Sequence, residues 1–171
     1  PLLPNESTQI NLDFKTYFDP GTTVRNRMKE FNTNGFRHYD GVHWYPRVCV
    51  YDRKFGWETA QHLGREFYGD YGSYDVELTF ANDYIVEATG VLQNEDEMLP
   101  ADLKTKLQLK NFKDKPLGRA VTKIIERTGT KTWKYKAVNV HDFAFTADPS
   151  YRIDEVQWNG IRCIALAQEQ N

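Results

Sequence analysis

Apolar and polar residues alternate along much of this chain, and this alternation constrains the fold more than any other feature. Residues 74–80 read YDVELTF, so that Tyr74, Val76 and Leu78 fall on one face of a strand. A period of two is typical of strands in which one face is buried and the other is solvated. The same argument predicts strands at 10–15, 48–51, 84–89, 121–126, 132–140, 142–146, 151–158 and 161–168.

Turn residues separate most of these predicted strands. Asn82-Asp83, Gly129-Thr130 and Asn159-Gly160 each lie between two strand-like runs. An Asn-Gly pair flanked by strands is among the strongest local signals of a hairpin. Many short strands at this spacing favour an all-β fold, an antiparallel β-sandwich, and 171 residues are enough for a single domain spanning 1–171.

One segment departs from the strand pattern. Residues 100–110 read PADLKTKLQLK, with Pro100 at a favourable first helical position and Leu103 and Leu107 four residues apart. Acidic residues precede the segment and basic residues follow it, which suits the helix dipole. The sequence therefore predicts one short amphipathic helix in an insertion near residues 100–110.

Composition excludes several classes of function. The net charge of −2 gives no electrostatic basis for binding nucleic acid or an anionic membrane. No run of apolar residues approaches the length of a transmembrane helix, and the first residues do not resemble a signal peptide. Cys49 and Cys163 lie in apolar contexts, which favours two buried free thiols over a disulfide.

The aromatic side chains are concentrated between His43 and Phe80. Trp44 and Tyr45 are adjacent, so on a strand one would face the core and the other the solvent. The run FYGDYGSY at 67–74 likewise cannot direct every ring inward. Most rings would fill the core, but clustered exposed aromatics mark an interface with a domain, a peptide or a sugar.

Sequence patterns for catalysis are absent. The chain contains no HExxH zinc helix and no GxSxG nucleophile elbow. His62 and Glu66 are four residues apart, but Gly64 lies between them and no third ligand is evident. His38, Asp40 and His43 could meet in a loop around Gly41, although a solvated loop is the simpler interpretation. We expect that the chain catalyses no reaction by itself.

The order of several motifs resembles a known family. WYPRVCVYD at 44–52, GW at 56–57 and LGREFYGDYGSYDVELTFANDYIVEATGVLQN at 63–94 are followed by TWKYKAVNVHDFAFTADPSY at 132–151. This ordered set resembles the N-terminal β-sandwich domain of zinc metallopeptidases of the aminopeptidase N family, the gluzincins, and most closely their bacterial branch. The resemblance covers most of the chain, with 92–120 as a variable insertion.

The resemblance implies a larger protein. In this family a catalytic domain follows the sandwich and contains the HExxH zinc helix, a distant Glu ligand, a GxMEN strand and a catalytic Tyr. None of these is in the chain: Met28 precedes Lys29 and Met98 precedes Leu99, so no GxMEN strand is present. The resemblance therefore implies that 1–171 is a fragment without a cofactor, and that zinc belongs to a catalytic domain after residue 171.

The resemblance also implies a role. The sandwich would brace the catalytic domain and shape the entrance through which the parent enzyme receives peptide N-termini. The resemblance implies a Gln near the substrate amine, whereas GVHWYPRV at 41–48 has none. We expect the interface or substrate-side residues to be His43, Trp44, Tyr45, Trp57 and Tyr71.

Two other expectations accompany this role. The bacterial resemblance implies the cell envelope, the periplasm or secretion rather than the cytoplasm. The alternative function is a stand-alone carbohydrate- or protein-binding β-sandwich module that uses the same aromatic rings.

Overall fold

The computed structural model describes residues 2–20, 27–33, 35–60, 68–116 and 118–169. These ranges contain eleven strands and little helix. The strands are β1 (Lys29–Thr33), β2 (Phe36–Gly41), β3 (Tyr51–Asp52), β4 (Gly56–Trp57), β5 (Gly72–Ala81), β6 (Ile85–Ala88), β7 (Val91–Leu92), β8 (Thr130–Val140), β9 (Phe145–Asp148), β10 (Tyr151–Trp158) and β11 (Ile161–Gln168). The helices are α1 (Glu95–Met98) and α2 (Ala101–Leu107), followed by a 3-10 turn at Leu109–Asn111.

Two antiparallel sheets form the body of the protein. One has the strand order β1-β2-β9-β6 and the other has the order β5-β8-β7. Two smaller pairs, β3-β4 and β10-β11, extend this body. The arrangement confirms the predicted all-β, sandwich-like class.

The core lies where the two sheets face each other. Along β8 the side chains of Trp133, Tyr135 and Ala137 are buried while those between them are exposed, as the alternation predicts. The Tyr135 hydroxyl donates a hydrogen bond of 2.8 Å to the carbonyl of Val86 in the opposite sheet. Each fully buried large side chain of this kind contributes roughly 2–3 kcal/mol to the stability of the fold.

The turn at Asn82-Asp83 does not form the predicted hairpin. Strand β5 pairs with β8, whereas β6 pairs with β9 in the other sheet, so this turn leads the chain from one sheet to the other. The Asn82 N–H is bonded to the carbonyl of Gly129 rather than to the start of β6. Three consecutive residues here are buried, namely Tyr84, Ile85 and Val86. Because consecutive side chains of a strand point to opposite faces, β6 is covered on both faces and is not a half-exposed strand.

The predicted helix is present within narrower bounds. Helix α2 covers Ala101–Leu107, with Pro100 as the residue that caps it rather than the first helical residue. The additional short helix α1 precedes it and was not predicted. Met98, Leu99 and Leu107 are buried, so the insertion contributes to the core.

The strands predicted at 10–15 and 121–126 are wrong, and the strand predicted at 48–51 is present only from Tyr51, where β3 begins. Residues 10–15, 48–50 and 121–126 pair with no strand in the part of the chain that the structure describes. Ile10, Leu12 and Val48 are exposed. Alternation is compatible with a strand, but a strand also needs a neighbouring strand that satisfies its backbone groups. In the described residues these segments pair with no such strand, although the Val50 carbonyl accepts a hydrogen bond of 2.9 Å from the Glu58 N–H. The strand predicted at 142–146 lies later, at Phe145–Asp148.

The hairpin predicted around Asn159-Gly160 is confirmed at both strands. β10 and β11 pair antiparallel from Tyr151↔Gln168 to Trp158↔Ile161. Asn159 and Gly160 both have positive φ, 46° and 77°, as a type I′ turn requires. We call this hairpin the ribbon.

The thiols of Cys49 and Cys163 are free but exposed, so the prediction that they are buried is wrong.

Candidate interaction surface

A loop between β2 and β3 is held to the sandwich by half-buried hydrogen bonds. The Trp44 indole donates a hydrogen bond of 3.2 Å to the carbonyl of Phe143. The Tyr45 hydroxyl donates to a carboxylate oxygen of Asp142 at 2.8 Å, and the Arg47 guanidinium donates to the carbonyl of His141 at 2.7 Å. Three consecutive residues after β8 thus hold this loop in one position.

Asp142 is the centre of these contacts. Besides Tyr45, the Arg47 guanidinium lies 3.6 Å from its carboxylate, and Nε2 of His43 lies 3.7 Å away. The Tyr45 hydroxyl is also 3.0 Å from that of Tyr74. Burial, the Tyr74 contact and the Asp142 carboxylate raise the pKa of Tyr45, so its hydroxyl stays protonated and remains a donor.

The anchored loop leads directly into a hairpin with exposed aromatic rings. Tyr51 on β3 pairs with Trp57 on β4, and their ring centroids are 5.1 Å apart. Tyr51 is 64% exposed and Trp57 60%, and Phe55 at the turn is 68% exposed. Large rings exposed together in this way are unusual on a surface with no partner.

Two further tyrosines extend this surface. Tyr68 and Tyr71 are exposed and lie just after the hairpin in the described chain. Desolvation and the carboxylates of Asp52, Glu58 and Asp70 raise the pKa of Tyr68. We call the set Tyr51, Phe55, Trp57, Tyr68 and Tyr71 the aromatic surface.

The backbone beside these tyrosines is close to the anchored loop. A Cβ added at Gly69 would lie 2.5 Å from an Arg47 guanidinium nitrogen. The ring of Tyr71 lies 5.8 Å from that of His141, whose carbonyl accepts the Arg47 hydrogen bond. Arg47 therefore joins the two segments that contribute to the aromatic surface.

The five residues expected at the interface fall into two groups. Trp57 and Tyr71 are exposed on the aromatic surface, and His43 is exposed beside Asp142. Trp44 and Tyr45 are half-buried and serve as anchors. The expectation that one of these two would face the core and the other solvent does not hold, because residues 42–50 are outside the strands and both rings turn inward, 5.3 Å apart.

A second polar site includes His38 and Asp40, which the sequence analysis considered together, and Asp148, which it missed. His38 is buried on β2, with Nδ1 3.0 Å from Asp148 and Nε2 3.0 Å from Asp40. Asp148 is fully buried and also accepts hydrogen bonds from Ser150 and from the Gln168 side chain. The sequence predicted no strand at 36–41, and no local signal indicated that His38 has a partner 110 residues away.

The other sites considered for metal binding are as follows. His62 and Glu66 lie outside the described residues. His38 and Asp40 meet on a strand, not in a solvated loop, and His43 is directed to Asp142 instead. Among the residues that the structure describes, no group of three His, Cys, Asp or Glu side chains is arranged to hold a metal ion.

The fold and surface define an all-β sandwich with an anchored, exposed aromatic hairpin. No helix in the described ranges is long and apolar enough to cross a membrane. Comparison with known proteins found no matching family model, no matching curated protein and no matching solved structure.

Proposed function

We propose that this chain is the non-catalytic N-terminal domain of an aminopeptidase N-like zinc metallopeptidase. In this role it braces the catalytic domain and shapes the entrance through which the parent enzyme receives peptide N-termini. The ordered motifs from residue 44 to residue 151 support the family, and the aromatic surface is the observation that supports the role. Zinc and the catalytic groups belong to the other domain in this proposal.

The aromatic surface suits docking because its support is rigid. Trp44, Tyr45 and Arg47 are bonded to the segment after β8, so the hairpin that follows them has a fixed base. Aromatic side chains have few rotatable bonds, and little conformational entropy is lost when they are covered. A partner domain therefore gains apolar burial without having to order the loop first.

The first experiment is to read the gene beyond Asn171. The proposal expects an open reading frame that continues into an HExxH region, and a stop codon at that point would contradict it. The second experiment measures binding of the 171-residue chain to the separately expressed zinc-containing polypeptide by calorimetry. The double variant Tyr51→Ala/Trp57→Ala is expected to weaken binding about thirtyfold, the effect of losing one hot-spot contact of about 2 kcal/mol.

A matched control is available on the same fold. Val91 and Val138 are exposed apolar residues on β7 and β8, away from the aromatic surface in sequence. The double variant Val91→Ala/Val138→Ala should leave the affinity unchanged. Equal loss of affinity in both double variants would mean that the aromatic surface is not the site of docking.

The exposed rings of Tyr51 and Trp57 also favour a second candidate function, a carbohydrate-binding module. This candidate expects oligosaccharides to quench tryptophan fluorescence in a saturable manner, and expects Trp57→Ala to abolish the effect. The two rings are inclined at 66° to each other, so they do not form the flat platform that a sugar ring would stack on most fully. Docking to a domain is therefore the better supported function.

A further inference from the structure

The ribbon has a part that nothing in the described structure covers. Its base packs on the core through Ile153 and Leu166. From Asp154 to Ala165, however, every residue is exposed. An exposed two-stranded ribbon is marginally stable in water without a neighbour, so its persistence beyond the sandwich needs a physical explanation.

The two faces of the exposed ribbon differ in chemistry. The register pairs Val156 with Cys163 and Trp158 with Ile161, so these four side chains share one face, which we call the apolar face. The opposite face contains Glu155, Gln157 and Arg162, together with the apolar Ile164. Arg162 is bonded to Glu95 of α1 and to Glu155, so the polar face is turned towards the insertion and the apolar face away from it.

The outer edge of β11 is also open. In a two-residue hairpin the residues that flank the turn exchange both backbone hydrogen bonds, so Ile161 and each second residue after it are bonded to β10. The Glu169 N–H donates to the Ser150 carbonyl at 3.1 Å, as expected for a residue an even number of positions after Ile161. Arg162, Ile164 and Leu166 therefore direct their backbone N–H and C=O groups away from β10. In the described residues β11 pairs with β10 alone.

This edge lacks the features that usually protect an open strand. Edge strands avoid pairing through Pro, through bulges or through unpaired charges, above all Lys. Strand β11, IRCIALAQ, has no Pro or Gly, and its single charge, Arg162, is engaged by Glu95 and Glu155. The outer edge of β10 is different, because Gln108 bridges to Ile153 near its base. The chemistry of the β11 edge therefore fits an uncharged, extended strand.

A second copy of this chain would pair with the β11 edge but would leave the apolar face uncovered. Two β11 strands would pair antiparallel about a twofold axis perpendicular to the sheet. Both apolar faces would then lie on the same side and remain uncovered, with Val156, Trp158 and Ile161 present twice. An occupant that covers the edge and the face together must bring a strand and a second layer, which means a domain that contains its own sheet.

We propose that the β11 edge accepts a strand from the catalytic domain, so that the ribbon continues into that domain's sheet and a second layer covers the apolar face. This inference rests on the proposed function for the identity of the domain. It adds a second contact, distinct from the aromatic surface, whose affinity comes from main-chain hydrogen bonds as in other cases of strand addition.

Amide hydrogen exchange tests this inference directly. In the 171-residue chain the amides of Arg162, Ile164 and Leu166 should exchange rapidly, while those of Cys163 and Ala165 should be slower. In the longer polypeptide that includes the zinc-containing domain, the first three should become at least tenfold slower. Rapid exchange at these three amides in a polypeptide whose domains are docked would overturn the inference and leave the proposed function in place.

Two other outcomes would also overturn it. Slow exchange that depends on the concentration of the 171-residue chain would show that a second copy occupies the edge. Slow exchange at every concentration would show that the edge is covered within the chain. A gene that encodes no zinc-containing region would refute the proposed function, and with it the identity of the domain that pairs with β11. The reading frame gives that result, so it is distinguishable from the outcome of hydrogen exchange.

A pair of variants provides an independent test. Ile164→Pro removes an N–H that points outward on β11, and Gln157→Pro removes one that points outward on β10. Ile164→Pro should weaken binding to the zinc-containing polypeptide at least tenfold, and Gln157→Pro should have little effect. Should Ile164→Pro fail to fold, Trp158→Lys tests the apolar face, with the same expected loss. Unchanged affinity in the folded variant would contradict the inference.

Discussion

Nδ1 of His38 lies 3.0 Å from a carboxylate oxygen of Asp148, the fully buried last residue of β9. Burial disfavours a charged imidazole, but hydrogen bonds to Asp148 and Asp40 outweigh it and raise the pKa of His38 from 6.5 to about 9. The ring of Phe31 stacks on the imidazole at 4.4 Å, and the ring of Tyr151 meets it edge-on. His38 therefore links β2 to β9 as a cation.

The first prediction concerns the pH dependence of stability. Because the pKa of His38 is higher in the folded state, its contribution is complete below 6.5 and is lost as pH rises to about 9. The contribution of His38 to the free energy of unfolding should fall by about 3 kcal/mol over this range. Denaturant unfolding followed by circular dichroism at pH values of about 6 and about 9.5 measures the change.

The His38→Gln variant provides the control for this prediction. Burial lowers the pKa of Lys131 to about 8, and this group contributes with the opposite sign as pH rises. The difference between the wild-type and His38→Gln profiles cancels that contribution. Profiles of equal steepness would show that His38 does not cause the loss of stability.

The second prediction concerns a buried ion pair at the base of the ribbon. Arg152 and the Glu169 carboxylate are both fully buried, with Nε of Arg152 3.0 Å from Glu169. Glu169 also accepts hydrogen bonds from Lys115 and from the Thr122 N–H. Glu169→Gln leaves buried cations without their anion and should cost roughly 3–5 kcal/mol of stability.

An exposed pair gives the matched control for Glu169. Asp102 and Lys106 form an exposed i,i+4 pair at 3.3 Å on α2. Asp102→Asn is the same acid-to-amide change and should alter the free energy of unfolding by less than about 0.5 kcal/mol. Similar losses in the two variants would show that burial does not decide the strength of the Glu169 site.

The third prediction separates backbone strain from steric overlap at two glycines. Gly160 has φ of +77° in the ribbon turn with nothing within 4 Å of an added Cβ, whereas Gly90 has φ of +99° and an added Cβ would lie 2.4 Å from the carbonyl oxygen of Lys136. Gly160→Ala should cost about 1 kcal/mol from conformation alone. Gly90→Ala should cost at least about 2 kcal/mol more, because β8 must move. Thermal unfolding compares them, and equal losses would exclude a contribution from the contact with β8.

The sequence was sufficient to predict strands whose alternation coincides with a paired, half-buried position. β5 and β8 follow the pattern. The strands of the ribbon were also predicted, although residues 154–165 are exposed on both faces, and Asn159-Gly160 defines the turn between them because both residues tolerate positive φ. Alternation failed at 10–15, where the chain has the pattern but no neighbouring strand in the described structure. Pairing is a non-local property that a local period does not specify.

The candidate site shows the same division between local and non-local information. The aromatic concentration indicated an interface, but the sequence could not separate the anchors from the exposed rings. Trp44 and Tyr45 turn inward because Phe143 and Asp142 accept their hydrogen bonds. These acceptors lie nearly a hundred residues later in the chain, so no local pattern indicates them. The turn at Asn82-Asp83 is similar, since a local turn has the same sequence whether the next strand joins the same sheet or the opposite one.

The fourth prediction tests this division between anchors and surface. Tyr45→Phe removes the donor to Asp142 in a half-buried site and should lower the free energy of unfolding by about 1–2 kcal/mol. Trp57→Ala removes a ring that is 60% exposed and should change it by less than about 0.5 kcal/mol. Urea unfolding of the isolated chain measures both. A larger loss for Trp57→Ala than for Tyr45→Phe would mean that the exposed ring stabilises the sandwich itself, which would remove the reason to assign it to a partner.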